Sequence, residues 1–481
     1  MNRKMIFCTL GQLTLSESVL MILPLIVALW FGEIKTAASF LVAIGLSLII
    51  GLGLYKICKT ENKVIYAKEG FIIVAFGWLI MSIIGALPFV LSGDIPSYID
   101  AFFETVSGFT TTGASVIPNV EIISKGGLFW RSFTHWIGGM GVLVFIMAIL
   151  PSISDRSIHI MRAEMPGPIV GKIVPRAKQT ARILYVIYLV MTIIQIVLLL
   201  AGGMSFFDSV VHAFGTAGTG GFGIKADSVS SYSPYLQWVI TVFMFLFGVN
   251  FNLYYLLLMK KVRSVVKSTE FWAYFGVTAA ATIIICANVM STFESFGEAL
   301  RASAFQVSSI ITTTGYSTVD FNLWPTLSKN ILLCLMFFGA CAGSTGGGFK
   351  ITRIVMIFKS ISKEIKRMIH PRSISTVKFE GKALDKVTLN GVNAYLSLYI
   401  VLFISTVFLI SFEPFDFETT FSAALSCINN IGPGLGLAGP MGSYADFSGF
   451  SKIVLSFAML FGRLEIYPLL IALTPSTWTK K

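Results

Sequence analysis

Four short segments of the chain end in glycine and could bind a cation through main-chain oxygens. They are Thr110-Thr111-Thr112-Gly113, Gly218-Thr219-Gly220-Gly221, Thr312-Thr313-Thr314-Gly315 and Asn429-Asn430-Ile431-Gly432. Glycine adopts a positive φ at little steric cost, so a short turn can direct several carbonyl oxygens at one point. Rings of carbonyls replace the water shell of an alkali cation in selective pores. This internal repeat predicts an ion pore made from one folded chain.

The alignment of the copies follows from spacing. Asp100 precedes Gly113 by thirteen positions, and Asp208 precedes Gly221 by the same number. This match favours Gly221 over Gly220 as the last glycine of the second copy. The fourth copy is the most divergent, and a carbonyl site tolerates it because backbone direction matters more than side-chain identity.

A run of glycines, Gly343-Ser344-Thr345-Gly346-Gly347-Gly348, interrupts the apolar stretch at 329–358. Glycine destabilises a helix by roughly 1 kcal/mol per residue, so a break is predicted here. Two interpretations stay open: close helix packing through small residues, or an intramembrane loop that obstructs the pore. Lys350 follows, and it could hold the loop or repel cations. The stretch does not match a phosphate-binding loop, because Phe349 separates Gly348 from Lys350.

Arg463 lies inside the last apolar span, where an arginine is costly unless it faces protein or water. It forms either a structural ion pair with another helix or a positive charge in the pore beneath the carbonyl site. Glu465 points elsewhere on the helix, and we expect it to pair with another basic residue.

Other polar residues are weighed in the same way. An acidic outer mouth would concentrate cations, although topology alone would also sort acidic residues outward; the candidates are Asp94, Asp100, Glu104, Asp208, Glu298, Asp320, Asp416 and Glu418. His135 and His212 are expected to be hydrogen-bonded interior residues. The six scattered cysteines show neither zinc nor disulfide spacing. We find no catalytic constellation and no buried mid-span carboxylate that demands proton carriage.

The elements that position these residues are membrane helices. The 481 residues are 55% hydrophobic and 12% charged, with a mean hydropathy of +0.80. About ten full spans are predicted, near 12–31, 36–55, 71–91, 127–150, 183–202, 235–259, 271–292, 329–358, 391–412 and 450–474. The runs before each glycine, about 10 to 14 residues, are too short to cross ~30 Å of hydrocarbon. They must enter the membrane and return, lining a pore.

The predicted fold is an all-α polytopic membrane protein. It has four pseudo-repeated units of helix, re-entrant pore loop and helix around one pore, plus two extra N-terminal helices. The division is 1–69, 70–182, 183–270, 271–390 and 391–481. The net charge of +12 concentrates in the linkers 56–70, 152–182, 260–267 and 359–390. Lysine and arginine prefer the cytoplasm, so these linkers and both termini are predicted to be cytoplasmic, with the glycine turns outside.

Several motifs occur in order over nearly the whole chain. They are the glycine segments at 110–113, 220–222, 312–316 and 429–434, Gly138-Gly139-Met140-Gly141, residues 162–168 (RAEMPGP), the run 343–348, and Phe461-Gly462-Arg463-Leu464-Glu465. Together they resemble the Trk/Ktr/HKT superfamily of potassium transporters, most closely its bacterial TrkH branch. The two leading spans also resemble that branch.

The resemblance implies a potassium filter of backbone carbonyls and a gate. The filter residues are Thr111, Thr112, Gly113, Thr219, Gly220, Gly221, Thr313, Thr314, Gly315, Asn430, Ile431 and Gly432, and the gate residues are Gly343, Ser344, Thr345, Gly346, Gly347, Gly348, Lys350 and Arg463. Glycine in all four filter positions resembles the potassium-selective branch. The second copy is richer in glycine than the others, so its quarter of the filter is expected to be softer.

The implied function is potassium uptake across the bacterial inner membrane, with K⁺ in the pore and no covalent cofactor. The implied partners are a second copy in a homodimer and a cytosolic TrkA-like nucleotide-binding regulatory subunit. The basic segment 359–390 could bind a partner or anionic membrane lipids, and nucleic acid is not expected. The alternatives are a proton- or sodium-coupled symporter and, from another class, a polytopic membrane enzyme.

Overall fold

The computed structural model describes residues 1–58, 66–141, 177–372 and 376–479. Within these ranges the chain is helical, apart from its connections and a hairpin of β1 (Lys378–Phe379) with β2 (Lys382–Ala383). The predicted all-helical membrane class is therefore confirmed. Some of the predicted features lie outside the described residues. They are the motif at 162–168, the end of the predicted span 127–150, and the basic residues Lys59, Lys63, Lys480 and Lys481.

Two leading spans come before the repeats. The first consists of α1 (Arg3–Leu20) and α2 (Ile22–Trp30), and the second is α3 (Ile34–Ile57). Small residues let the two spans approach closely, because a Cβ on Gly11 would lie 2.9 Å from the Gly51 carbonyl oxygen. The turn between the spans reaches the first unit through Glu33, whose carboxylate accepts hydrogen bonds from the Lys125 and Gly126 N–H groups at 2.7 and 3.0 Å.

Each unit has a long helix, a short helix and a second helix. The first unit has α4 (Ala67–Gly85), α5 (Leu87–Ser92), α6 (Tyr98–Phe109) and α7 (Lys125–Gly139). The second has α8 (Ala177–Ala201), α9 (Phe206–Gly218), α10 (Pro234–Phe247), α11 (Phe251–Leu258) and α12 (Val262–Val266). The third has α13 (Thr269–Val289), α14 (Phe296–Ile311), α15 (Thr326–Met336) and α16 (Ile351–Ile369). The fourth has α17 (Lys386–Ile410), α18 (Phe417–Asn429), α19 (Gly449–Arg463) and α20 (Tyr467–Leu473).

The short helices α6, α9, α14 and α18 all begin in the same way. A serine or aspartate at the N-cap accepts the backbone N–H three residues later, at 3.1 to 3.4 Å. The capping residues are Ser97, Ser205, Ser295 and Asp416. Such a cap satisfies one of the free N–H groups of a first turn. Four equivalent polar starts therefore set the four short helices.

The second helices of the second and fourth units are broken, which corrects part of the prediction. The expected continuous spans at 235–259 and 450–474 are wrong, because α10 and α11 meet at 90° and α19 and α20 at 119°. In the described residues six helices are long and apolar enough to cross a membrane, or up to eight if each bent pair is one span, instead of about ten. A run of apolar residues indicates that a segment is buried, but it does not indicate whether the helix is continuous. The second bend is made by Glu465 and Ile466, whose φ angles are +57° and +66°.

Candidate pore and gate

The four glycine-ended segments share one backbone conformation. The second residue of each has a φ of 54 to 59°, and the fourth has a φ of 76 to 100°. The second-place residues are Thr111, Thr219, Thr313 and Asn430, and the fourth-place residues are Gly113, Gly221, Gly315 and Gly432. A positive φ in a β-branched residue is rare and needs support from its surroundings. The repetition of this strain shows that the segments are structurally equivalent, with Gly221 in register as the spacing favoured.

The N–H groups of these segments turn back towards their short helices. In each copy the N–H of the third residue donates to the carbonyl five positions earlier, at 2.8 to 3.0 Å. Of the twelve predicted filter carbonyls, Gly432 accepts a hydrogen bond from the Tyr444 hydroxyl at 2.9 Å. Within the described part of the chain, the other eleven accept none. Buried carbonyls without a donor require another partner, and a cation supplies one.

The segments meet in a closed ring that follows chain order. A Cβ on Gly113 would collide with the Gly220 carbonyl oxygen of the second unit, and one on Gly221 with the Thr314 carbonyl of the third. The ring closes in the same way, because a Cβ on Gly315 would strike the Ile431 carbonyl and one on Gly432 would strike the Thr112 carbonyl at 2.6 Å. The predicted filter residues are thus brought together. Each glycine is required by close approach as well as by its φ.

The short helices all end at this ring. Thr110, Thr219, Thr312 and Asn430 are the C-caps of α6, α9, α14 and α18. A helix C-terminus carries the equivalent of roughly half a negative charge, and cations are stabilised near it. Four such ends add a favourable field to the carbonyl dipoles.

A cavity of about 110 Å³ opens at the glycine end of the ring, and all four fourth-place glycines line it. The described charged residues in its lining are Arg131 and Lys225, and none of the eight candidate acidic residues is among them. Glu104 is instead buried, 2.7 Å from Arg131. The expectation that these acids line the mouth is therefore wrong for this cavity.

Arg131 and Glu104 bind the loops outside the ring to one another. Arg131 donates to the Gly223 carbonyl at 3.3 Å, and its guanidinium carbon lies 4.0 Å from the centre of the Phe222 ring. Glu104 accepts hydrogen bonds from the Ser115 hydroxyl at 3.0 Å and the Val116 N–H at 2.9 Å. A buried pair of this kind holds only when its remaining donors and acceptors are satisfied. The sequence analysis did not predict this ion pair, although it contains both charged residues.

The two histidines are interior residues, as predicted. His135 Nδ1 lies 2.8 Å from the Gly108 carbonyl oxygen, and Nε2 accepts the Phe222 N–H at 3.3 Å. His135 therefore carries its proton on Nδ1 and joins the first short helix to the second filter segment. His212 Nδ1 lies 2.8 Å from the Asp208 carbonyl oxygen.

The glycine run 343–348 lies against the opposite end of the ring. The Gly347 N–H donates to the Thr313 hydroxyl at 2.7 Å. Cβ atoms on Gly346 and Gly347 would lie 2.9 Å from the Thr312 carbonyl oxygen and 2.7 Å from that of Asn429. These contacts involve the first and second positions of the four segments, whereas the cavity of about 110 Å³ touches the fourth. The run thus lies across the end of the ring opposite the cavity.

Hydrogen bonds within the third unit and to the second unit hold the run 343–348 in place. Lys350, which is 1% exposed, donates to the Gly346 carbonyl. Thr345 donates to the Phe247 carbonyl at 3.2 Å, and the Phe251 N–H donates to the Gly343 carbonyl at 3.0 Å.

Arg463 lies at the end of α19, beside the 119° bend. It donates to the Thr345 carbonyl at 2.8 Å and to the Gly138 and Gly139 carbonyls at 2.5 and 2.6 Å. One guanidinium therefore joins the glycine run to the end of α7. Glu465 pairs with Arg353 of α16, which confirms the expected partnership with another basic residue.

A buried carboxyl that sequence reasoning missed lies in the first span. Glu17 is 0% exposed, and its two carboxyl oxygens have no hydrogen-bond partner in the described residues. Its Oε1 would lie 3.2 Å from a Cβ on Gly85, beside Thr105 and Phe109 of the first short helix. The expectation that no mid-span carboxylate is buried is therefore wrong.

Comparisons with known proteins agree with the overall fold. The family profile of TrkH, described as a cation transport protein, matches residues 37–480. The Trk system potassium uptake protein TrkH of Salmonella typhimurium is 36% identical over 475 residues, covering 97% of this chain and 98% of that protein. TrkH of Escherichia coli K12 is 35% identical over 475 residues, with the same coverage. The crystal structure of the potassium transporter TrkH from Vibrio parahaemolyticus superposes with a TM-score of 0.89 at 33% identity, covering 100% of both chains.

Proposed function

The chain belongs to the TrkH family of cation transport proteins, and from that premise we propose that it carries potassium into the cell across the bacterial inner membrane. The observation that carries the proposal is the closed ring of four equivalent segments, in which eleven of the twelve carbonyls accept no hydrogen bond from the described residues. A dehydrated K⁺ passes between these carbonyls, driven by its electrochemical gradient. A membrane potential of 100 mV supplies about 2.3 kcal/mol for each charge moved.

The filter is formed by the twelve carbonyls named from the sequence, from Thr111 to Gly432. Their selectivity depends on the ring keeping its size, because carbonyl number and spacing decide which bare cation is well coordinated. Close contact between each fourth-place glycine and the next segment supports this rigidity.

The gate is the run 343–348 with Lys350 and Arg463. The contact of the run with the first and second positions of the ring supports a role as an obstruction at the inner end of the filter, which must leave for conduction. Lys350 and Arg463 stabilise the closed position through the Gly346 and Thr345 carbonyls. Arg463 is cationic, so it also opposes the entry of K⁺ from that side.

A cytosolic nucleotide-binding subunit moves the gate through α16. This helix starts directly after Lys350 and carries exposed apolar side chains at Phe358, Ile361 and Ile365, beside several lysines. A partner that holds this face can pull on the run 343–348. The chain acts as a homodimer with one pore in each subunit.

Rubidium flux into proteoliposomes tests the proposal. The protein should admit ⁸⁶Rb⁺ against a large excess of sodium, with a higher rate when the nucleotide-binding partner is present. Uptake that sodium suppresses as effectively as potassium does would contradict a potassium filter.

A second candidate, proton-coupled symport, has one observation in its favour, the unpartnered Glu17. Simultaneous recording of internal pH and rubidium uptake separates the two. Uniport predicts no proton entry beyond that of empty liposomes and unchanged flux in Glu17→Gln. Symport predicts acidification that follows rubidium and is lost in the variant.

A further inference from the structure

An apolar cavity and a cationic one adjoin where the starts of α1 and α4 meet the C-terminal segment. The apolar cavity, of about 350 Å³, is lined chiefly by Ile6, Leu10, Leu54, Phe76 and Ile80. Its lining combines the first two spans with α4, and it contributes nothing to the pore or the gate. A volume of this size is within the range of small-ligand pockets.

The second, cationic cavity measures about 860 Å³, and its lining mixes polar and apolar surface. Its described charged lining residues are Arg3, Lys4 and Lys68, all cationic. Arg3 and Trp478 also line the apolar cavity, so the two cavities adjoin at these residues.

The carboxylate next in sequence to this cluster is already engaged. Glu69 is 4% exposed and accepts the Asn2 and Tyr66 N–H groups, both at 3.2 Å. Within the described residues it forms no ion pair with Arg3, Lys4 or Lys68, and three cations against one carboxylate leave the cavity with a net positive charge. Arg3 uses one guanidinium nitrogen on the Trp478 carbonyl at 3.2 Å, which leaves further N–H donors for an anion.

The wall shared by both cavities is an aromatic one of the kind found at membrane interfaces. The Trp478 indole N–H donates to the Ala472 carbonyl at 2.8 Å, and its ring packs edge-on against Phe76 with centroids 6.0 Å apart. Tryptophan prefers the level of lipid headgroups. This preference favours a headgroup-level position for the cationic cavity, on the side where the basic linkers are predicted, with the apolar cavity towards the acyl region.

We propose that this composite cavity binds one anionic phospholipid, with an acyl chain in the apolar part and the phosphate between Arg3, Lys4 and Lys68. Charge complementarity selects the headgroup, and the apolar lining selects a lipid over a free phosphate. Because Arg3 and Trp478 come from opposite ends of the described chain, the bound lipid fastens the C-terminal segment to the leading helices. The site is independent of potassium transport, so its test does not depend on the pore.

Native mass spectrometry of the full chain, delipidated and then titrated with phosphatidylglycerol or phosphatidylcholine of the same acyl chains, tests the site. We expect one phosphatidylglycerol to be retained per chain with about a tenfold preference, equivalent to about 1.4 kcal/mol. The triple variant R3Q/K4Q/K68Q should lose this preference. The matched control K260Q/R263Q/K267Q removes the same charges from exposed positions around α12, and it should keep the preference.

A second variant tests the acyl part. Ile80→Trp fills the apolar cavity and should reduce phosphatidylglycerol retention while leaving elution as a folded protein unchanged. Equal retention of both lipids by the wild type, or equal losses in the two triple variants, would overturn the proposal. The proposal would also be overturned if these variants dissociated an oligomer without altering lipid retention. That result would mean that the composite cavity faces a second copy of the chain. Competition by glycerol phosphate alone would likewise show that no acyl chain is needed.

Discussion

At the residue scale, the decisive feature is that two constraints require glycine at the last position of each segment. One is the positive φ, and the other is the close approach of a carbonyl from the next segment. Gly113 has a φ of 80°, and a Cβ there would meet the carbonyl of Gly220. Gly113→Ser must push the second filter segment away and widen one quarter of the ring. We expect rubidium-over-sodium selectivity in liposome flux to fall about tenfold, a change of about 1.4 kcal/mol.

Gly203→Ser is the matched control for this variant. Gly203 has a φ of 85°, but a Cβ there would have no neighbour within 4 Å. It suffers the same backbone strain without touching the filter, and its selectivity should stay at the wild-type value. Unchanged selectivity in Gly113→Ser would show that this glycine does not shape the filter.

The buried pair of Arg131 and Glu104 gives a stability prediction. Glu104→Gln leaves the Arg131 charge without its carboxylate, and removing one partner of a buried pair costs roughly 3–5 kcal/mol. We expect a large fall in thermal stability measured in detergent. The double variant E104Q/R131M removes both charges and should recover part of the loss; a double variant that is no more stable than E104Q would argue against the pair.

Some residues were predictable and others were not, for physical reasons. The register of Gly221 followed from equal spacing, because equivalent short helices have equivalent lengths. Glu17 was missed because a single carboxylate in an apolar run gives no indication of whether it faces protein. The exclusion of Glu104 from the mouth depended on Arg131, a tertiary contact that no local pattern reveals.

At the element scale, Arg463 links the run 343–348 to α7, because it donates to the Thr345 carbonyl of the run and to the Gly138 and Gly139 carbonyls. Arg463→Gln removes its charge-assisted hydrogen bonds, each worth roughly 1.5–3 kcal/mol. We expect basal rubidium flux without any partner to rise about tenfold or more. The control Arg301→Gln alters an arginine of α14 that pairs with Glu298, and its basal flux should not change. Basal flux at the wild-type level in Arg463→Gln would contradict the proposal that Arg463 holds the run 343–348 in the closed position.

Shortening the run 343–348 is a second test of whether it obstructs the pore. Deleting Gly346 and Gly347 removes the N–H that binds Thr313 and the atoms packed against the ring. We expect a higher basal flux with selectivity retained, because the filter carbonyls remain. A deletion that abolishes flux in a folded protein would mean that the run supports the filter and does not block it.

The helices show where sequence patterns stop being informative. Short helices with capped starts were predicted well, because their length and polar flanks are local properties. The bends at 248–250 and 464–466 were not, because the apolar residues on both sides of them indicate burial without indicating whether the helix is continuous. The glycine run was found because glycine itself disfavours a helix.

At the scale of the whole molecule, the family and the membrane class followed from motif order and hydropathy. The boundaries between units, the homodimer and the cytoplasmic position of the termini stay predictions. The regulatory partner is also a prediction, and α16 offers a way to test it. Phe358→Asp with Ile365→Asp should abolish stimulation of flux by the partner and nucleotide, while basal flux stays unchanged. Full stimulation in this variant would place the docking surface elsewhere.

The central claim is that the four segments coordinate a bare monovalent cation on one axis. Anomalous diffraction from crystals grown in thallium or rubidium tests it most directly. The account predicts anomalous peaks inside the ring formed by Gly113, Gly221, Gly315 and Gly432 and the carbonyls beneath them. Peaks that lie away from this ring, or a ring that stays empty at saturating cation, would contradict it.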